Sequence, residues 1–398
     1  MSVRIEPAPA RARVLERTAS AILERVLGGL EGGALEVALP GGTTRRFGSG
    51  TPVRLTIHDS AFFRRIATRG KLGLGESYTA GEWDSDDLVA LFELLLPNAD
   101  AAAAGHPLIR GVLESRPRLR RRNGLVRARR NIAYHYDLGN ELFALMLDET
   151  MTYSCAVFDD PRMSLEDAQR LKYERLCRSL SLGSEDRVLE IGCGWGGFAR
   201  HAAETRGCSV TGITISHEQA TLARERTQGL PVEIREQDYR SLEGSFTKVV
   251  SIEMIEAIGA DQFGTFFATI DRVLGPGGRA AVQTILVPEQ RWDRYRRTPD
   301  WIERYIFPGC LIPSLEALTH ATARHSRLGI YGVEEIGTHY AETLRRWRTN
   351  FHERIDEVRR LGYDRRFERT WDFYLAFCEA GFRAGVLRDA QLLLARAA

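Results

Sequence analysis

Residues 187–216, RVLEIGCGWGGFARHAAETRGCSVTGITIS, decide how this chain is read. An apolar strand, Val188 to Ile191, runs directly into Gly192, Gly194, Gly196 and Gly197; a helical pattern follows, and a second strand, SVTGITIS, completes the unit. Glycine is required where the backbone turns through positive φ or approaches a ligand closely, and the free N–H groups opening the next helix favour a polar ligand. Taken alone, such a turn suits a dinucleotide, a nucleoside or tight packing. Three details narrow the choice. The spacing is G-x-G-x-G rather than G-x-G-x-x-G. An acidic residue, Glu190, sits inside the first strand. The second strand ends in Thr214 and Ser216 followed by Gln219, where a dinucleotide fold places an acid for the ribose.

Working outward, EIREQDYRSL supplies Asp238 after a third strand, a natural partner for an adenine amino group. VVSIEMIEAIG reads as the fourth strand, and RVLGPGGRAAVQTIL as a helix, a Gly-Pro-Gly-Gly turn and the fifth strand. The alternation of strands and helices from about residue 165 predicts a parallel sheet with crossover helices. Together these features resemble the S-adenosylmethionine (SAM) methyltransferase fold, an α/β, Rossmann-like, mostly parallel seven-stranded sheet. On that reading Gly192 and Gly194 let backbone approach the amino acid part of SAM, with Gln219 and Asp238 on the nucleoside side. The cofactor set expected is Tyr153, Ser154, Glu190, Gly192, Gly194, Gly196, Thr214, Ser216, Gln219, Asp238 and Tyr239.

The rest of the chain bounds what surrounds that site. A length of 398 residues suggests two or three domains, and a net charge of +2 argues against nucleic acid as a partner. No apolar run is long enough for a signal peptide or a membrane span, so a cytoplasmic protein is expected. The cysteines at 155, 177, 193, 208, 310 and 378 have no metal-ligand spacing, so free thiols and no metal site are expected. Residues 1–104 read as a small α+β domain, with helical RVLERTASAILERVLGGL and DSDDLVALFELLL around strand-like ALEVALPGG and PVRLTIHD. Residues 105–130 form a basic linker, about half arginine from Arg116 to Arg130. It reads either as a solvated connection or as a patch for anionic lipid headgroups, each nearby cation being worth about 1 kcal/mol. Residues 131–398 are the expected catalytic domain.

What is methylated is read from flanking motifs. HYDLGNELFALMLDETMTYSCAVFDD (135–160), ERYIFPGCLIPS (303–314) and WDFYLAFCEAGFRAG (371–385) closely resemble stretches of the cyclopropane fatty acid synthase family, in the family's order, over roughly residues 40–395. The resemblance implies that the N-terminal zone is the small extra domain of full-length members. It also implies that SAM donates its methyl to the cis double bond of an acyl chain in a phospholipid. A carbocation develops, and loss of a proton from the new methyl closes a cyclopropane ring. A bilayer with unsaturated acyl chains as substrate, peripheral association with the inner face of the membrane, and a homodimer are further implications.

The family places a bicarbonate ion near the cation as base. By motif its cradle here is Cys155, Glu256, Ile285 through its backbone, and Tyr340. Many bacterial members carry a histidine at the position of Gln283, although a branch that includes plant-type enzymes has glutamine. Glutamine can donate a hydrogen bond to bicarbonate but cannot readily take its proton. Each residue also has a plain reading: Cys155 as a small buried hydrophobe, Glu256 as an exposed carboxylate past a strand, Tyr340 as a half-buried aromatic. His135 reads as a helix-start residue bonded to backbone. Trp371, Phe373, Tyr374 and Phe377 read as core or, in the family's terms, as lining of an acyl tunnel. Two other outcomes stay open: a methylene or methyl-branched product, and a catalytically silent lipid-binding protein.

Overall fold

The computed structural model describes residue 24 and residues 27–105, 138–298 and 300–396, with backbone alone for 99–105. The arginine-rich segment 116–130, His135 and most of the first helical pattern lie outside the described residues. Two units divide the chain at Pro117 and Arg118, with Asp364–Ala384 in the first and Gly385–Ala398 in the second. The segment expected as one catalytic domain, 131–398, is thus interrupted: its helix Arg365–Arg383 belongs with the N-terminal residues.

In the first unit β1 (Ala34–Ala38), β2 (Thr44–Gly48), β3 (Pro52–Ile57) and β4 (Trp83–Ser85) form a sheet of order β2-β1-β3-β4. β1 and β3 are parallel; the other pairs are antiparallel. Helix Arg365–Arg383 opens where the Asp364 carboxylate accepts the Phe367 N–H at 2.8 Å, an N-cap that satisfies one of the free donors of a helix start. Its apolar face joins this unit. Phe373 and Phe377 meet Phe92 edge-on, with ring centroids 4.9 and 5.4 Å apart, and Trp371 stacks on Phe367. Tyr78 donates its hydroxyl to Asp372 at 2.8 Å, and the Arg369 guanidinium lies 3.9 Å above the Tyr78 ring. The aromatic series that read as core or tunnel lining packs as core of the first unit.

In the second unit the strands are β5 (Arg187–Ile191), β6 (Ser209–Thr214), β7 (Val232–Glu236), β8 (Phe246–Ile252), β9 (Leu274–Leu286), β10 (Leu328–Glu335) and β11 (Arg388–Arg396). Their order is β10-β11-β9-β8-β5-β6-β7. β5 to β9 run parallel, while β11 is antiparallel to both β9 and β10, which gives the expected mostly parallel seven-stranded sheet. Successive residues of β5 feed opposite faces. Val188 packs with Tyr173, Leu176 and Phe198, whereas Leu189 and Ile191 pack with Phe266, Phe267 and Ile270. Covering both faces is what makes β5 a near-continuous apolar run.

One local expectation fails. Gly275 to Gly278, read as a turn, lie inside β9. β8 advances from Phe246 to Lys248 while β9 advances from Leu274 to Arg279, so the extra residues bulge, and Gly277 at φ +68° takes the left-handed conformation that the bulge requires. No described helix is long and apolar enough to cross a membrane.

Candidate active site

The sequence-selected residues collect at the carboxyl ends of the parallel strands, where open α/β sheets bind ligands. The glycine turn after β5 is tied down by two bonds: the N–H groups of Gly192 and Cys193 both donate to the Ile213 carbonyl at 2.9 Å. Gly192, Gly194 and Gly196 all have positive φ, of 82°, 51° and 82°. Their surroundings differ. A Cβ on Gly192 would sit 2.7 Å from Met254 Cγ, whereas a Cβ on Gly194 would meet nothing within 4 Å. Gly192 is therefore demanded by packing against Met254, and Gly194 is the glycine that faces open space.

The remaining cofactor candidates are held by specific bonds. Thr214 Oγ1 donates to Gln219 Oε1 at 2.8 Å, and Ser216 Oγ caps the helix His217–Arg226 by accepting the Gln219 N–H at 3.3 Å. Asp238 is gripped by Arg240 through Nε at 2.8 Å and Nη2 at 2.7 Å, so an adenine amino group would share that carboxylate with a guanidinium. Tyr153 lies between Phe143 and Trp347, with ring centroids 5.2 and 5.1 Å away, and Ser154 Oγ accepts from Lys172 Nζ at 2.7 Å. Glu190 Oε2 and Tyr239 Oη are buried without a hydrogen-bond partner. Burial pushes the Glu190 carboxyl well above its usual range, against the pull of Lys172. Open space at Gly194 and these two unpaired polar atoms are what a small polar cofactor such as SAM would use.

The second cluster has a centre that the sequence reading passed over. Glu253 follows β8 immediately and has φ +47°, a left-handed conformation uncommon for any residue but glycine. That turn brings its carboxylate under three donors. Oε1 accepts from the Cys155 backbone N–H at 2.8 Å and from Gln283 Nε2 at 2.9 Å, and Oε2 accepts from the Tyr340 hydroxyl at 2.6 Å. Gln391 on β11 donates to Gln283 Oε1 at 3.0 Å, across the register pair Gln391 and Gln283. Glu256 forms a separate pair of bonds. Its Oε1 accepts from Thr284 Oγ1 at 2.8 Å and from the Ile285 N–H at 2.6 Å, while Oε2 is buried and unpartnered. Of the expected cradle, Cys155, Gln283 and Tyr340 thus converge on Glu253, and Ile285 on Glu256.

Burial dominates the electrostatics. It raises the Glu256 carboxyl to about 8, with Glu253 the next contributor, and pushes Asp389 well above the carboxylate range, again with Glu253 next. Burial pushes the Cys155 thiol up, which disfavours a thiolate there. Lys172, fully buried, is lowered to about 8 by desolvation against the attraction of Glu253.

Bicarbonate does not fit this arrangement. The Cys155 N–H, Gln283 Nε2 and Tyr340 Oη already end on Glu253, the Ile285 N–H ends on Glu256, and a further anion would lie among the carboxyl groups of half-buried Glu253 and buried Glu256 and Asp389. Lys172, Asp389, Gln391 and Glu253 were not selected from sequence. Lys172 carried a signal: it falls on the buried stripe of helix Leu165–Leu180 with Leu165, Ala168, Gln169 and Leu176, where a charge is out of place. Glu253 carried a weaker one, an acid directly past an apolar strand.

A family model described as mycolic acid cyclopropane synthetase matches residues 124–392. The chain belongs to this family. It is 43% identical over 359 residues to the tuberculostearic acid methyltransferase UfaA1 of Mycobacterium tuberculosis, covering 86% of this chain and 83% of that one. It is 37% identical over 341 residues to the cyclopropane-fatty-acyl-phospholipid synthase of Escherichia coli K12, covering 86% of each. The structure of the cyclopropane synthase MmaA2 from Mycobacterium tuberculosis superposes with TM-score 0.63 at 28% identity, covering 67% of this chain and 98% of that one. That of the mycolic acid cyclopropane synthase CmaA1 with SAH and CTAB gives 0.62 at 26%, covering 67% and 97%. As a mycolic acid cyclopropane synthetase family member with this sheet, the chain is a SAM-dependent methyltransferase acting on lipid.

Proposed function

We propose that this methyltransferase acts on the cis double bond of an unsaturated acyl chain esterified in a phospholipid, and that its product is a cyclopropane. The observation that carries this reading is the convergence of buried Cys155, Gln283 and Tyr340 on Glu253, set beside the glycine turn through Met254. When bound, SAM would supply an electrophilic methyl, and its transfer to an alkene would leave positive charge on the acyl chain. The chain's own residues then have three tasks. Gly194, Ser216, Gln219, Asp238 and Glu190 would hold the cofactor at the strand ends. Cys155, Gln283 and Tyr340, all buried, exclude water that would otherwise capture the cation. Tyr153, Trp347 and Tyr340 present aromatic rings, the last two 6.0 Å apart between centroids, whose faces favour positive charge.

A second reading, a methylene or methyl-branched acyl chain, is favoured by the 43% identity to a relative named for tuberculostearic acid, and Gln283 is compatible with both. Mass spectrometry of lipids from cells expressing the protein separates the two. A mass gain of one carbon with ring-type fragmentation supports the cyclopropane, a branch located by fragmentation supports the second, and unchanged lipids leave a silent lipid-binding protein. Recruitment to the membrane by residues 116–130 and assembly as a homodimer belong to the same proposal; a mass measurement in solution tests the latter.

A further inference from the structure

We propose that Glu253 supplies, from the chain itself, the proton-accepting carboxylate that the family resemblance assigns to a bound bicarbonate. The inference rests on the methyl transfer proposed above. In the step concerned, the C–H pair of the transferred methyl forms the new C–C bond to the cationic carbon, the C–H bond breaks, and the proton passes to a Glu253 oxygen. The cation is neutralised, the ring closes, and Glu253 becomes a neutral carboxylic acid that later returns its proton to solvent.

Three observations carry this. First, the carboxylate stands where the donors converge. Cys155 N–H, Gln283 Nε2 and Tyr340 Oη, the groups expected to hold an external anion, all end on Glu253. Second, the backbone is bent to put it there. Glu253 is one of three non-glycine residues with positive φ among those described, and its N–H is fixed to the Gln283 carbonyl at 2.8 Å. Strain of that kind persists where surrounding structure over-determines it, and it concentrates at functional sites. Third, the surroundings suit one anion and not two. Lys172 is the buried cation nearby, and Asp389 and Glu256 are pushed toward their neutral forms with Glu253 contributing to both shifts.

The chemistry asks little of the base beyond position. A C–H bond next to a carbocation is strongly acidic, so a weak base suffices. What must be avoided is collapse of the carboxylate onto the cation as an ester. Donors occupying its lone pairs restrain that collapse and hold each oxygen in a fixed direction.

The test uses the purified full chain with SAM and vesicles of phospholipid bearing cis-unsaturated chains, in buffer stripped of bicarbonate. Wild type should keep its rate and gain less than about twofold on adding bicarbonate, and carbon-13 bicarbonate NMR should show no binding. Glu253→Gln should lose on the order of 10²-fold in rate, as general-base lesions do, with SAM affinity by calorimetry nearly unchanged. Glu253→Gly is the informative companion. Glycine accepts φ +47° without strain, so this variant keeps the turn while opening an anion-sized space. It should gain bicarbonate binding by NMR and recover part of its rate when bicarbonate is added. A wild-type rate that falls at least tenfold without bicarbonate, bicarbonate binding by wild type, or full activity in Glu253→Gln overturns the assignment. Wild type that forms no methylated lipid under any condition overturns instead the function on which the assignment rests.

Discussion

Gln391 and Gln283 face each other across β11 and β9, and the 3.0 Å bond from Gln391 Nε2 to Gln283 Oε1 fixes which end of the Gln283 amide points at Glu253. An ionised carboxylate accepts only, so the amide must offer it an N–H, and a neighbour that donates to the opposite end enforces that choice. Replacing Gln391 by leucine removes that restraint and leaves the Gln283 amide held only from its Nε2 end, by Glu253 and by the Cys155 carbonyl at 3.4 Å. We expect Gln391→Leu to lower kcat several-fold with little change in SAM affinity, and to cost about 1–3 kcal/mol in denaturant unfolding because Gln283 Oε1 is left buried and unpaired. Unaltered kcat would show that Glu253 and the Cys155 carbonyl orient Gln283 without help from Gln391.

The turn glycines should fail in different ways. Gly192→Ala forces a methyl to 2.7 Å from Met254 and should destabilise the fold by about 1–3 kcal/mol. A Cβ on Gly194 would meet no protein atom within 4 Å, so Gly194→Val, though strained by the φ of +51°, should leave a folded, less stable protein that no longer binds SAM. Thermal unfolding and calorimetry of the two variants separate these effects; normal SAM affinity in Gly194→Val would remove that residue from the cofactor site.

Glu256 gives stability a pH dependence of known sign. Its folded-state value is raised from 4.5 to about 8, so between these limits the unfolded chain has released the proton and the folded chain retains it. The unfolded state binds fewer protons there, and stability must fall as pH rises from about 5 to 8. The loss has an upper bound of about 5 kcal/mol, at about 1.4 kcal/mol per unit. Asp389 contributes with the same sign. Urea titrations at several pH values should show a shallower slope for Glu256→Gln than for wild type. An identical slope would mean that Glu256 ionises normally in the fold.

For residues 116–130 the expected behaviour is electrostatic. The Debye length shortens from about 10 Å at 0.1 M salt to about 3 Å at 1 M, so sedimentation with anionic vesicles should be strong at low salt and fade as salt rises. Equal sedimentation with neutral vesicles points to an apolar contact elsewhere in the chain.

The parts of the fold that were legible are those governed by local pattern. The strand, glycine turn and helix from Arg187 could be placed because period and turn chemistry coincide there, and the parallel run of β5 to β9 follows from alternating strands and helices. The Gly-Pro-Gly-Gly segment was misread because a bulge within β9 depends on register with β8, which no local pattern carries. The site failed at one point for a similar reason. Glu253 and Glu256 are three residues apart in an irregular stretch, and the one placed beneath Cys155, Gln283 and Tyr340 is chosen by a left-handed backbone angle at the end of β8. The assignment of Arg365–Arg383 to the first unit was hidden in another way, since its partners Tyr78 and Phe92 lie nearly three hundred residues earlier.

That last helix means that the chain passes between its two units three times, at 117/118, 363/364 and 384/385. Neither unit is therefore a module that a single cut can release. Deleting the N-terminal residues would strip Phe373 and Phe377 of Phe92 and leave an amphipathic helix tethered by both ends with its greasy side bare, an invitation to self-association. Expressing the N-terminal residues alone would leave Tyr78 and Phe92 without a lid. A recombinant form of the first unit needs residues 364–384 spliced onto it by a designed linker, and exchange of this unit between relatives has to move two stretches of sequence together.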